Sequence, residues 1–180
     1  MSEVKVGEKV ESFEMEAVMA DGTFGTVSLA ENIQNKKWTV LFFYPMDFTG
    51  LCSNELLAMS ESYAEFSANN AEVIGVSTDS KNAHKAWINM DVKAGGVGKL
   101  NYPLADDKNH IVSEQFGILA EEKGITLRGL YIIDDKGILQ HSTINAINIG
   151  RNVEEIIRTL CALQTGEMCP VNWKKGDKTL

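Results

Sequence analysis

From Trp38 to Tyr44 the chain reads Trp-Thr-Val-Leu-Phe-Phe-Tyr, with no charge and no glycine. A continuous β-prone run, as opposed to an alternating one, suits a central strand buried on both faces. Such a strand needs other layers above and below it, which narrows the fold to packed α/β arrangements. A second buried strand is expected at Glu72 to Thr78. Between the two, Leu56, Met59, Tyr63 and Phe66 fall at helical spacing, which predicts one amphipathic helix from about Thr49 to Asn69.

The remaining punctuation fits the same plan. Phe13, Met15 and Ala17 alternate with Glu14 and Glu16 ahead of Asp21-Gly22, the pattern of a hairpin. A helix is expected near Asn82 to Asp91, a loop at Gly95-Gly96-Val97-Gly98 and a short helix at Asn109 to Phe116. Arg128 to Asp134 is a third apolar run, turned at Asp135-Lys136-Gly137 into Ile138 to Thr143. Val153, Ile156, Ile157, Leu160 and Cys161 mark a last helix with Asn152 as its N-cap. Hairpin, strand–helix–strand–helix, then strand–strand–helix favours a mixed central sheet covered by helices on both sides. This agrees with a thioredoxin-like α/β fold carrying an N-terminal hairpin and an insertion.

With 180 residues, 44% of them hydrophobic, a core can form without staples, so the three cysteines need not be structural disulfides. The net charge of −8 argues against nucleic acid and anionic membrane surfaces as partners. No apolar stretch approaches the roughly 20 residues that span a bilayer. The first residues lack a signal pattern, so a cytoplasmic location is expected, where a well-placed cysteine is more often catalytic than structural. His84, His110 and His141 are scattered and the cysteines form no close pair, so no metal site is expected. No Gly-rich loop joins a strand to a helix with nucleotide-binding spacing.

Cys52 follows the first apolar run and opens the predicted helix, where backbone N–H groups and the helix dipole favour a thiolate. Bringing a thiol pKa from about 8.5 to about 6 takes roughly 3.4 kcal/mol. A helix end supplies only about 0.3–1 kcal/mol. A nearby cation is therefore required, and Arg128, opening an apolar strand, is the foremost candidate. Thr49 caps the helix or donates to a ligand; Pro45 ends the strand and can shield the sulfur. Glu55 either holds the Arg128 guanidinium bidentately or merely complements the helix dipole. Arg151 either reaches this face or stays in solvent, and Cys161 continues the apolar stripe of the last helix as a core residue.

Taken in order, several segments resemble the peroxiredoxin family, in its typical two-cysteine, alkyl-hydroperoxide-reductase-like branch. They are Phe43-Tyr44-Pro45-x-Asp47-Phe48-Thr49-x-x-Cys52 with Glu55, Val73 to Asp79, Trp87, Leu127-Arg128-Gly129-Leu130, Gly150-Arg151-Asn152-Val153 and Gly166-Glu167-Met168-Cys169-Pro170. The resemblance implies that Cys52 attacks hydrogen peroxide or an organic hydroperoxide and becomes a sulfenic acid. By the same resemblance Thr49 and Arg128 hold the peroxide oxygens, while Pro45, Glu55, Tyr44 and Arg151 support the site. Cys169 would be the resolving cysteine, forming an intersubunit disulfide that a thioredoxin or a flavoprotein disulfide reductase recycles. No metal, haem or flavin cofactor is implied. Homodimers are implied, and rings of about five of them. The domain is expected over residues 1–165, with residues 166–180 as a tail carrying Cys169.

The chain departs from the family at Gly50-Leu51-Cys52-Ser53-Asn54-Glu55, where relatives carry a large apolar residue and Cys-Pro-Thr-Glu. Gly50 and Ser53 remove a covering side chain and a rigid early-helix position, so an easily opened Cys52 helix is expected. The glycine loop at residues 95–98 matches overoxidation-sensitive members, but the accompanying Tyr-Phe tail is missing, so resistance to overoxidation is expected. Two alternative functions stand beside this one: a ring-shaped holdase chaperone, and a thioredoxin-type disulfide oxidoreductase. The second needs Cys-x-x-Cys where this chain has Thr49-x-x-Cys52.

Overall fold

A computed structural model describes residues 3–180. The expected central strand is β3 (Trp38–Phe43), paired parallel with β4 (Ala71–Ser77) and antiparallel with β8 (Arg128–Ile133). Its residues divide strictly by parity. Val40 and Phe42 face a core with Leu56, Met59, Trp87 and Leu160, whereas Leu41 and Phe43 face one with Phe13, Ile74, Phe116 and Tyr131. An uninterrupted apolar run is therefore what two buried faces require.

The N-terminal hairpin is β1 (Glu14–Val18) with β2 (Phe24–Ser28), and the C-terminal one joins β8 to β9 (Leu139–Asn145). Between β1 and β4 lies β5 (Leu104–Asp106), too short to leave a pattern in the sequence. The seven-stranded order is β2-β1-β5-β4-β3-β8-β9. A further pair, β6 (Leu119–Ala120) and β7 (Ile125–Thr126), stands apart from this sheet.

One prediction is corrected. The helix expected from Thr49 to Asn69 is two helices, here α2 (Gly50–Glu61) and α3 (Tyr63–Ala68); α1 (Leu29–Gln34) precedes them, capped by the Ser28 hydroxyl. At Ser62 the backbone flattens to ψ 1°, and its N–H turns toward the carbonyls of Ala58 and Ser60. The break re-aims the chain so that Phe66 is buried and the Tyr63 hydroxyl reaches Glu72 at 3.1 Å.

The other helices stand near their predicted places: α4 (Lys81–Asn89), α5 (Ile111–Gln115) and α6 (Val153–Thr165). Asn152 caps α6 by accepting from the Glu155 N–H. In the glycine loop, a Cβ at Gly96 would lie 2.1 Å from the Met90 carbonyl oxygen, so no other residue fits without movement. That loop also accepts a hydrogen bond from the Trp87 indole at the Gly95 carbonyl, 2.8 Å away. Among the described residues, no helix is long and apolar enough to cross a membrane.

Candidate active site

The carboxyl end of β3, the start of α2 and the first residue of β8 converge on one sulfur. Leaving β3, the chain passes buried Tyr44 and Pro45, then turns through Phe48, whose φ of 58° is unusual for a bulky residue. Thr49 stands at the N-cap of α2 with extended backbone, as expected, but its side chain makes no cap bond. Its hydroxyl donates instead to the Met46 carbonyl at 2.9 Å, closing the turn behind it. Cys52 follows within the first turn and is 1% exposed.

Arg128 meets the sulfur as the sequence predicted: its Nη1 donates to Cys52 Sγ at 3.4 Å, and its Nε donates to the Ile147 carbonyl at 2.6 Å. A guanidinium there sets a positive charge against the sulfur in a dry site, where charge-assisted contacts are weakly screened. The role of Glu55 is corrected in one respect. Its bidentate partner is Arg151, whose Nε and Nη2 donate to Oε1 and Oε2 at 2.8 and 3.0 Å. Arg128 contributes a single contact through Nη1 to Oε2, at 2.5 Å.

Arg151 is thus inside, its side chain 6% exposed. Its Nη1 also donates to the carbonyls of Phe43 and Gly129, at 2.7 and 2.6 Å, stitching β3 to β8 beneath the sulfur. Burial alone would raise the Glu55 carboxyl. The hydrogen bonds and charge of Arg151, with the charge of Arg128, outweigh it and hold Glu55 below the ordinary carboxylate range.

Both departures from the family pattern, Gly50 and Ser53, lie in the first turn of α2. Gly50 is exposed, with nothing within 4 Å of where a Cβ would stand. The Ser53 hydroxyl donates back to the Gly50 carbonyl at 2.8 Å.

Cys169 lies far less enclosed. It is half-buried beyond the end of α6, and among the described residues its hydrogen bonds are those with Thr165 Oγ1 at 3.4 Å and the Ala162 carbonyl at 3.7 Å. All three cysteines are free. Cys161 is 6% exposed, as a core residue should be, and burial pushes its thiol up, toward the unreactive form. It edges a cavity of about 610 Å³ beside α6 that contains no cation–thiol contact comparable to that at Cys52. Among the described residues, no group of three or more His, Cys, Asp or Glu side chains is placed to hold a metal ion.

One cluster escaped the sequence reading. Under the turn before α2, Asp47 and His84 are wholly buried, with Asp47 Oδ2 2.8 Å from His84 Nδ1, and the Tyr44 hydroxyl donates to Asp47 Oδ1 at 2.8 Å. The available signal was Tyr44-x-x-Asp47 beside a histidine three residues before Trp87 on one helix face.

A buried sulfur at a helix start can attack an electrophile while the guanidinium that touches it stabilises the departing anion. Comparison with known proteins agrees. Residues 6–142 match the model described as the AhpC/TSA family. YkuU of Bacillus subtilis, which bears a peroxiredoxin name, is 58% identical over 180 residues, covering 100% of both chains. The chloroplastic 2-Cys peroxiredoxin BAS1 of Spinacia oleracea is 51% identical over 179 residues, 97% of this chain and 67% of that one. The reduced 2-Cys peroxiredoxin of Plasmodium vivax superposes with a TM-score of 0.93 at 38% identity, covering 97% of this chain and 91% of its own.

Proposed function

The chain belongs to the AhpC/TSA family and is a peroxiredoxin, a thiol-dependent peroxidase; we propose that Cys52 is its peroxidatic nucleophile and that Cys169 of the partner subunit resolves the oxidised sulfur. The observation that carries this reading is the Arg128 guanidinium at 3.4 Å from a sulfur in the first turn of α2.

The Cys52 thiolate attacks the terminal oxygen of a hydroperoxide in line with the O–O bond. The S–O bond forms as O–O breaks, and the departing alkoxide or hydroxide takes a proton to leave as alcohol or water. Arg128 and the α2 amides stabilise charge on the peroxide oxygens as it redistributes. The Thr49 hydroxyl, one turn earlier, is near enough in sequence to exchange its Met46 bond for one to the peroxide. Pro45, buried and without an N–H, helps keep water from the sulfur. Glu55 fixes both arginines, and Arg151 and Tyr44 hold the strand ends on which the site is built.

The Cys52 sulfenic acid then condenses with the partner's Cys169, releasing water and forming one disulfide. Two electrons and two protons from a thioredoxin-like or flavoprotein disulfide reductase restore both thiols. The slight enclosure of Cys169 suits a segment that must travel to a neighbouring subunit. On this reading the working unit is at least a homodimer, with decamers as its closed assembly, residues 1–165 form the catalytic domain and residues 166–180 its mobile arm.

Non-reducing electrophoresis after one equivalent of peroxide tests the scheme. The wild-type chain is expected to run at twice its mass, and both Cys52→Ser and Cys169→Ser at single mass. Peroxide-dependent turnover surviving in Cys52→Ser would refute the assignment of the nucleophile.

A further inference from the structure

His84 lies on α4 with no exposed surface, and each ring nitrogen faces an oxygen within hydrogen-bond distance. Nδ1 is 2.8 Å from the Asp47 carboxylate, and Nε2 is 3.1 Å from the Ala105 carbonyl oxygen. Both of those oxygens only accept. A neutral imidazole has one N–H, so either tautomer would aim a lone pair at an acceptor. Only the imidazolium, with two N–H groups, satisfies both.

Asp47 is gripped from other directions as well. The Tyr44 hydroxyl donates to Oδ1 at 2.8 Å and lies 3.4 Å from His84 Nδ1. The Asp47 main-chain N–H donates to Asp79 Oδ2 at 2.9 Å, an oxygen that also accepts from the Ser77 hydroxyl at 2.9 Å. Tyr44 and Asp47 from the turn, and Asp79 from the end of β4, are the titratable groups acting on His84; β5 presents only the Ala105 carbonyl. Burial alone would depress the imidazole, but the hydrogen bond and charge of Asp47, with the Ala105 carbonyl and Asp79, hold its pKa above the ordinary histidine value.

What this clasp holds is the turn that presents the reactive cysteine. Phe48 follows Asp47 at a φ of 58° with its side chain 5.6 Å from the Trp87 ring, and Thr49 then caps α2. A bulky residue in that conformation persists only where its surroundings over-determine it. We propose that protonated His84 is a positioning residue for the peroxidase reaction: bonded to Asp47 and to the Ala105 carbonyl at once, it clamps residues 44–49 in the shape that presents Thr49 and Cys52, and losing its proton costs one of those two bonds and loosens the clamp. This rests on Cys52 being the nucleophile. The sign follows from a value raised on folding. The clamp is complete below about pH 6.5, the unfolded histidine value, and is lost as pH rises through the higher folded one.

The test pairs two measurements. Nitrogen-15 spectra of histidine-labelled wild-type protein at pH 7 should show both ring nitrogens of His84 protonated; a bare nitrogen would overturn the proposal, whatever any variant does. The pH profile of kcat/KM for hydrogen peroxide is then followed in wild type, His84→Gln and Asp47→Asn. Wild type should lose activity along an alkaline limb that coincides with the His84 titration in the spectra. Both variants should start roughly 10- to 100-fold lower and lack that limb, since misplacing a reacting group by about 1 Å costs up to about that much. A wild-type limb that persists unmoved in His84→Gln would refute the clamp. Wild-type protein without peroxidase activity, beside a doubly protonated His84, would instead indict the reading of Cys52.

Discussion

Cys52 and Cys169 are the same side chain in opposite settings. Around Cys52, three buried charged residues from α2, β8 and the approach to α6 are locked by eight hydrogen bonds in all, and the sulfur itself is 1% exposed. Around Cys169, two weak contacts to the last turn of α6 are all that the thiol makes. Under the proposed cycle, the contrast teaches a division of labour. A sulfur that must attack a small, weakly bound oxidant gains from preorganised charge. A sulfur that must reach another subunit gains from being lightly held.

Removing the cation should erase the contrast most completely. Arg128→Met is expected to lower kcat/KM for peroxide by roughly 10²- to 10³-fold, the scale seen when a preorganised transition-state donor is lost. Arg128→Lys should recover little, because an ammonium cannot replace the fixed fork that meets Ile147, Glu55 and the sulfur together. Stopped-flow oxidation of Cys52 measures both, and near-wild-type rates in Arg128→Met would sink the role given to this residue.

Next in size is an effect on stability. Glu55 is 5% exposed and neutralises two buried arginines, so Glu55→Gln is expected to cost about 3–5 kcal/mol in denaturant unfolding. The pH dependence has a definite sign. A carboxyl held below its ordinary value adds stability above about pH 4.3, its unfolded pKa, and loses it as pH falls through the lower folded one. Wild type should therefore lose stability in that acid window and Glu55→Gln should lose less; equal slopes would contradict the assignment. The equivalent change at Cys169, Cys169→Ser, should leave stability within about 0.5 kcal/mol, as surface substitutions do.

The smallest effect concerns the first turn of α2. Nothing lies within 4 Å of a Cβ at Gly50 and its φ is not positive, so Gly50→Ala should stabilise by about 0.4–1 kcal/mol. Combined with Ser53→Pro, it should slow amide exchange across Thr49 to Leu57 and slow formation of the disulfide. Unchanged exchange would mean that these departures do not loosen the helix.

How much of this the sequence disclosed depends on the range of the interaction. β3 was legible because burial on both faces removes every charged residue from its run. Arg128 was legible because a charge at the head of an apolar strand demands a partner. The break at Ser62 was not, since the apolar spacing of Leu56, Met59, Tyr63 and Phe66 continues across it while the backbone does not. Nor was β5, whose three residues are fixed by strands distant in sequence. Arg151 taking the bidentate place at Glu55 depends on a contact across 96 positions, invisible to local pattern. The Asp47–His84 pair was hidden for a similar reason: three scattered histidines carry no metal spacing, and only the folded chain brings one of them onto a carboxylate.

The grouping of two guanidinium ions around a single carboxylate leaves one positive charge unmatched in a water-poor interior. Under the proposed peroxidase cycle, an ionised sulfur makes the count even. Once that sulfur carries oxygen as a neutral sulfenic acid, the surplus returns, and the cheapest relief is hydration. Oxidation thereby weakens the enclosure that made it fast, and the chemical event itself becomes the signal for the helix to let its cysteine go.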